Sequence, residues 1–409
     1  VVNTFPERLI NEQDCERVIN SLLHSDFQPS AQSLSSPSMR LDRDQLWQSA
    51  ILSAEATELA SEFAYTHTIG SSTALSVVPV SNGTRAITLS LTALASRASH
   101  LGLRQPRIGD NVIVPSLTWS ATATAALDRG LVPRLADIDP RTMTIDPSSV
   151  RHLIDDQTFA IIAVHLYNRM ADLPALRNLA DHYGLALVED CAHAHGASLG
   201  HAPAGSTGQI GTFSLQASKP LTAGEGGLVV STDVELLHQV ASLANCGRPC
   251  QTALPLPGGN DRLPVINAAF ARSQLTRFRE RQLRRLDTWD ALDDAADSLP
   301  HLQPFERQDG VSPTYKWAAR YNSASIDGLS DHLSRTLDVE VGRTYVPLHM
   351  DSNYRPDLDP LMGPLVEADQ DRYSARYPAS EEVYATALTI AHAAALDGGF
   401  AERFEHALN

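Results

Sequence analysis

The sequence predicts an α/β chain: a mostly parallel sheet of about seven strands in a large domain, then a smaller C-terminal α/β domain. Three observations predict it. Short β-branched runs alternate with helical stretches between residues 76 and 231. Those runs are apolar throughout rather than at every second position, which marks strands buried on both faces and joined by helical crossovers. Beyond about residue 300 the pattern changes to short strands and two helices, after a turn-rich segment.

Taken in order, residues 1–40 read as an N-terminal arm that includes a polar, Pro/Ser-rich loop at 27–37. Leu46, Trp47, Ala50, Ile51, Ala54, Leu59 and Phe63 then fall at helical spacing, predicting a helix from 41 to about 66. Strands are expected at 76–80, 111–115, 133–138, 159–164, 185–189, 211–215 and 227–231. Helices are expected between the earlier ones at 84–99, 118–129, 147–155 and 172–183. A turn-rich excursion at 249–260 precedes one long Arg- and Leu-rich helix, 265–299, and the chain turns again at 300–310. The large domain is therefore placed at 41–285 and the small one at 286–409. No internal repeat interrupts this plan.

Composition excludes several functions. The 409 residues carry 32 basic against 48 acidic side chains, a net charge of −16, which repels a nucleic-acid backbone. No run approaches the roughly 18 apolar residues of a membrane span, so no membrane partner is expected. The first thirty residues hold Glu7, Glu12, Asp14 and Glu16 and lack the apolar core of a signal peptide. Cys15, Cys191, Cys246 and Cys250 form no CxxC pair. A reducing, cytoplasmic location is expected.

Only Lys219 and Lys316 of the 32 basic residues are lysines. Where positive charge alone suffices this chain uses arginine, so a retained lysine marks chemistry that a guanidinium cannot do. Only a primary amine forms a Schiff base. Chance survival is the competing account. The expected strand 185–189 runs into Asp190 within VEDCAHAHGA, at the carboxyl end of the sheet where ligands of open α/β folds bind. Two bland readings stand beside a functional one. Asp190 is the right type for a helix cap. Asp190, His193 and His195 also have the types and spacing of zinc ligands, but no further Cys/His cluster completes a coordination set, and no metal is expected.

Lys219 lies in GTFSLQASKPLTAGEGG, between a strand and a Gly-rich turn. An acid and a lone lysine at one sheet edge suggest pyridoxal phosphate (PLP), which needs an amine for its imine and a carboxylate beside its ring nitrogen. SNGTRA (81–86) offers a phosphate cradle, a strand end turning at Gly83 and Thr84 into a helix start. The same pattern also serves as a plain cap. No GxGxxG is present, which counts against a dinucleotide. Trp119 fits either a core aromatic or a ring stacked at the edge of the site.

VPSLTWSATATAAL, DIDPRTMTIDP, AVHLYNRMADLPAL, VEDCAHAHGA, GTFSLQASKPLTAGEGG and NCGR occur in that order. Together they resemble the DegT/StrS family of PLP-dependent sugar and cyclitol aminotransferases, of PLP fold type I (aspartate aminotransferase-like). The resemblance is dense over about 75–250. It continues in GGNDRLPVINAAFARSQL (258–275) and is loose at 377–392.

The resemblance implies that Lys219 is the cofactor-binding lysine and Asp190 the partner of the pyridine nitrogen. It puts His193 near the cofactor's phenolic oxygen, at a position often Gln, and Trp119 on the ring. It gives Gly83, Thr84 and Ser214 to the phosphate. Asn260 would reach the phosphate from a second subunit, implying a homodimer with shared sites. Tyr345 is expected to contact substrate. Asn168-Arg169 departs from a loop often written with Gly and Gln, and the region before about 70 is not recognisable. Gln216, TAGEGG and NCGR lean toward the inosose and aminohydroxybenzoate-type branch. The function implied is amino transfer from glutamine or glutamate to a keto-cyclitol or keto-sugar, in aminocyclitol antibiotic biosynthesis. A nucleotide-sugar aminotransferase is the alternative. A sugar dehydratase is disfavoured because dehydratases of this kind replace the lysine with His, and a non-catalytic regulator because nothing resembles a DNA-binding module.

Overall fold

The computed structural model describes residues 12–24, 53–306, 308–322, 326–370 and 376–408. The expected loop 27–37, most of the arm 1–40, and Leu46, Trp47, Ala50 and Ile51 of the first expected helix lie outside them. The described part of that helix is Ala54–His67, capped by the Ser53 hydroxyl, which accepts from the Ala56 amide. Its Leu59 and Phe63 are buried against the sheet core.

Nine strands follow: β1 (Ser76–Val80), β2 (Asn111–Pro115), β3 (Val132–Ala136), β4 (Thr158–Val164), β5 (Ala186–Asp190), the two-residue β6 (Ser198–Leu199) and β7 (Ala202–Pro203), β8 (Ile210–Ser214) and β9 (Gly227–Ser231). Seven of them form one sheet in the order β1-β9-β8-β5-β4-β2-β3. Pairing is parallel from β8 to β3, and β9 alone is reversed, antiparallel to both β8 and β1. All residues of β2, β4, β5 and β9 are buried, as strands covered on both faces must be. Each such aliphatic side chain contributes about 1.5–3 kcal/mol by leaving water. The parallel direction brings the ends of β2, β4 and β5 to one edge, and the loops there carry most of the candidate residues.

Five further strands are β10 (Leu302–Pro304), β11 (Gly310–Val311), β12 (Lys316–Tyr321), β13 (Val341–Arg343) and β14 (Ala387–Ala391). Four of them make an antiparallel sheet, β10-β12-β14-β13, while β11 pairs with β6 and ties this region to the first. The long helix expected over 265–299 is two helices, Val265–Leu275 and Phe278–Asp297. The break falls at Thr276, whose hydroxyl donates to the Ser273 carbonyl (2.7 Å), a local bond that competes with the helix ladder. Arg277 then leaves helical geometry and donates to Asp14 (2.5 Å) of the N-terminal helix Glu12–His24.

The helix Phe278–Asp297 runs through position 285/286, where the sequence pattern changes domain. Its Phe278 belongs to the core of the large sheet. Trp289, Leu292 and Ala296 belong to a second core with Trp317, Leu333, Ile390, Phe400 and Phe404.

Candidate active site

Asp190 ends β5 and is buried. Its Oδ2 accepts from the Thr122 hydroxyl (2.9 Å), on the first turn of the helix Ala121–Leu127, and its Oδ1 from the Ala192 amide (3.1 Å). Burial pushes the carboxyl above its ordinary value, against the pull of those two donors and of the Lys219 charge. Asp190 therefore caps its own loop at Ala192 rather than a helix.

Three residues on, His193 is also buried. Its Nδ1 accepts from the Tyr167 amide (3.2 Å), which leaves the proton of the neutral ring on Nε2, 3.4 Å from the Tyr345 hydroxyl. Burial, then the Lys219 charge, keeps the imidazole well below its usual pKa. The ring stacks on Tyr315 at 4.0 Å between centroids. His193 Nδ1 is already bonded to the Tyr167 amide. The one group of described residues spaced for a metal is His165, Glu189 and Cys191. There the lone pair of His165 Nδ1 accepts from the Ala171 amide and Nε2 faces Glu189, so that cluster is a closed hydrogen-bond network as well.

Lys219 follows the loop after β8. Its Nζ lies 4.3 Å from the centre of the Tyr315 ring, and it makes no ion pair with a carboxylate among the described residues. The residue keeps some surface open, yet its amine end is desolvated. Burial lowers its pKa, and the neighbouring Tyr315 and Asp190 offset this only in part. Lys316, the other lysine, pairs with Glu340 (3.3 Å).

The cradle residues converge on β8. Asn82 caps the helix Gly83–Ser96 by accepting from the Arg85 amide (2.8 Å), and the first-turn amides at Gly83 and Thr84 point out of its start. Gly83 presses on Ser214: a Cβ built there would lie 2.8 Å from the Ser214 Cβ, so only glycine lets the helix start approach that hydroxyl. Trp119 is 62% exposed, with its ring 5.6 Å from Tyr345, so it stands at the open side of the site and not in the core. Tyr345 is half-buried, and its amide donates to the Tyr167 hydroxyl (2.7 Å).

Asn260 is exposed and stands beside Asp261, which takes two bonds of 2.9 Å from Arg85 and accepts at its carbonyl from the Ser81 amide (2.7 Å), next to the cradle. Asn168 and Arg169 are buried, and Arg169 donates to the carbonyl of Phe305. Reading the sequence missed Tyr315, Thr122 and Tyr167. Tyr315 had a signal, since it immediately precedes the second retained lysine. Tyr167 holds a left-handed φ of 54°, which aims its amide at His193, and nothing in its residue type announces that.

The profile of the DegT/DnrJ/EryC1/StrS aminotransferases matches residues 50–403. The chain belongs to that family. The L-glutamine:2-deoxy-scyllo-inosose aminotransferase of Streptoalloteichus tenebrarius is 34% identical over 339 residues, 78% of each chain. Among solved structures, 3-amino-5-hydroxybenzoic acid synthase superposes with a TM-score of 0.75 at 24% identity, covering 98% of this chain and 97% of that one. NtdA of Bacillus subtilis, with bound cofactor PMP, gives 0.72 at 24% identity, covering 98% and 82%. The fold is thus PLP fold type I and the chain is an aminotransferase. As in other DegT/DnrJ/EryC1/StrS enzymes, its cofactor is PLP.

The residues present fit that group. An uncompensated buried carboxyl, a desolvated amine and a glycine-lined helix start beside a hydroxyl are the three things a pyridine nitrogen, an aldehyde and a phosphate require.

Proposed function

We propose that this chain moves the amino group of glutamine to a keto-cyclitol of the 2-deoxy-scyllo-inosose class, in aminocyclitol antibiotic biosynthesis, as a cytoplasmic homodimer. The observation that carries the reading is Lys219, a desolvated amine with no carboxylate ion pair among the described residues, in the same buried site as the desolvated carboxyl of Asp190. The substrate pair rests on the name of the S. tenebrarius relative. A cytoplasmic setting is the one in which the four cysteines stay as thiols.

When bound, PLP supplies an electron sink for the amino-bearing carbon. The chain's own groups do the rest. Lys219 Nζ would hold the cofactor covalently until the donor amine displaces it, and as a free amine would then take the proton from the donor's α-carbon and deliver it to the cofactor side. Its lowered pKa keeps more of the amine in the neutral form that can accept a proton. Asp190 holds the proton of the ring nitrogen, its oxygens fixed by Thr122 and Ala192. The amides at Gly83 and Thr84 and the Ser214 hydroxyl bind the phosphate. Trp119 stacks from the open side, and His193 stands at the phenolic edge. Tyr345 contacts substrate. Asn260 serves the phosphate of the partner subunit's site, which suits its exposure.

Purified protein given glutamine and a scyllo-inosose-type ketone should yield the amine by mass. Acceptance of a nucleotide keto-sugar with refusal of the cyclitol would reject the substrate class. The shared site has its own test. Asn260→Ala should weaken cofactor affinity by roughly ten- to a hundred-fold, the worth of one hydrogen bond to a charged acceptor. Mixing it with Lys219→Ala protomers puts both lesions in one site and neither in the other, so activity should partly return. No recovery despite proven subunit exchange would reject the dimer.

A further inference from the structure

The loop that presents Lys219 is folded around Gln216. The Gln216 carbonyl accepts from the Lys219 amide (2.9 Å), and its side-chain oxygen accepts from the Ser218 amide (2.8 Å) and the Ser218 hydroxyl (2.7 Å). A backbone N–H can only donate, so the oxygen of the Gln216 side chain must face Ser218, and that oxygen takes the serine proton. From the four-stranded sheet, the His392 amide donates to the Tyr315 carbonyl (3.0 Å), and His392 Nε2 donates to the Ser218 carbonyl (2.9 Å). Tyr315, directly before β12, is thereby held against the loop, buried, with its ring stacked on His193.

The direction of one further hydrogen bond follows. The hydroxyls of Tyr315 and Ser218 lie 3.2 Å apart. Because the Ser218 proton is committed to Gln216, Tyr315 donates and Ser218 accepts. The phenol oxygen can then only accept, from Tyr345 and from Lys219 Nζ, both of which border it. The ring also presents its electron-rich face to Nζ, 4.3 Å from its centre. Ring and oxygen both favour a cation there. Of the other groups around Nζ, Asp190 acts in the same direction and Lys316 against it. His193, His195 and His392, which the Lys219 charge also reaches, are kept neutral by burial.

We propose that Tyr315, oriented through Ser218 by Gln216, is the positioning residue that holds the Lys219 amine whenever it is not bonded to the cofactor, and stabilises the ammonium formed when Nζ takes the donor's α-proton. In that step the donor's C–H bond breaks, its electron pair passes to the cofactor, and an N–H bond forms on Nζ. A neutral amine becomes a cation with no carboxylate ion pair among the described residues. Burial favours the amine before the step, and Tyr315 lessens the penalty after it. Such a role presupposes Lys219 as the reactive lysine, whereas its contact with Tyr315 is measurable without turnover. Gln216 acts at a distance of two hydrogen bonds, by deciding which way the phenol proton points.

The test uses full-length protein loaded with pyridoxamine phosphate, the form in which no lysine is bonded to the cofactor. With lysine labelled by carbon-13 at Cε, the NMR spectrum holds only Lys219 and Lys316, and Lys316→Arg tells them apart. The ring should shift the Lys219 Hε protons upfield. Titration of the Lys219 Cε signal should move to lower pH in Tyr315→Phe and in Ser218→Ala, and further in Tyr315→Leu. A tyrosine that only packs would lower the melting temperature and leave that titration in place. In Tyr315→Leu, kcat should fall by roughly two- to thirty-fold, the range of a cation–π contact, with KM for the donor unchanged and part of the loss recovered by Phe. If Tyr315→Leu does not fold, the other two variants and the unmutated spectrum decide. Absence of the upfield shift would overturn the proposal, as would a titration that stays or rises in Tyr315→Phe or Ser218→Ala. A wrong choice of lysine would show differently, as borohydride labelling of Lys316 in the PLP form with the Lys219 signals as described.

Discussion

Glu189 and Asp190 are consecutive residues of β5, both buried carboxylates, and strand geometry sends them to opposite faces of the sheet. Burial alone would raise the pKa of both. At Glu189 it is outweighed. The carboxylate accepts from His165 Nε2 (3.1 Å) and from the amides of Gly205 (2.7 Å), Thr207 (2.7 Å) and Gly208 (2.6 Å), and its pKa falls below the ordinary value. At Asp190 burial wins over the Ala192 amide and the Thr122 hydroxyl, and the pKa stays raised. One carboxylate is complete within the chain. The other has capacity left over, which is what distinguishes a site from a strut when residue type, burial and position are the same.

The largest expected effect lies across the site from Asp190. Lys219→Arg keeps the charge and removes the amine chemistry, so the protein should fold, lack the yellow band of bound cofactor and lose turnover by at least about 10⁴-fold. A borohydride-trappable adduct in that variant would move the assignment to Lys316.

Asp190→Asn should come next, at roughly 10²–10³-fold in kcat with cofactor still bound, the usual cost of removing one preorganised electrostatic partner. Its melting temperature without cofactor should not fall, because an uncompensated buried charge has been removed. Glu189→Gln should do the reverse. Breaking a buried network around a charge costs about 3–5 kcal/mol, while activity per folded molecule stays near normal. Acid titration of melting temperature separates the two further. The stability from Glu189, whose folded pKa is depressed, is present above the unfolded pKa and lost as pH falls through the folded one. The Asp190 shift has the opposite sign, so its penalty is present above the folded pKa and relieved as pH falls. The gap between Glu189→Gln and the unmutated protein should therefore close in acid. Equal loss of stability in both variants would show that the two carboxylates do the same job.

The strands were legible because their cue is local. SVVPV, NVIVP and GLVVS begin and end where the β-branched runs do. The break at Thr276–Arg277 was not legible, since it has neither Pro nor Gly and depends on a hydroxyl turning back on its own helix. The lysine and the acid stood out by rarity and by position at a strand end. Their supporting residues did not: Thr122, Tyr167 and Tyr315 come from three separate elements, and only tertiary packing brings them together. The burial of Arg285 was hidden for another reason. That residue sits in RFRERQLRR, which reads as a solvated basic face, and only the second core closing over that helix buries it.

The smallest effect sharpens the comparison most. Thr122 is a positioning residue whose hydroxyl supplies one of the two donors to Asp190, and it also lies 3.1 Å from the Thr118 hydroxyl. Thr122→Val removes the donor at nearly constant volume and leaves the Thr118 hydroxyl short of a partner, at a cost of about 1 kcal/mol in stability. A purely structural threonine would show that loss and nothing more. Because the lost donor favours the charged form, the pKa of Asp190 must rise further. Activity needs Asp190 ionised, so the acid limb of the kcat profile should move to higher pH while the plateau stays within about tenfold. Thr122→Ser restores the hydroxyl and should restore the limb. A variant that melts lower with its acid limb unmoved would mean that Asp190 is held by Ala192 alone, and that the two faces of β5 differ by less than their donors imply.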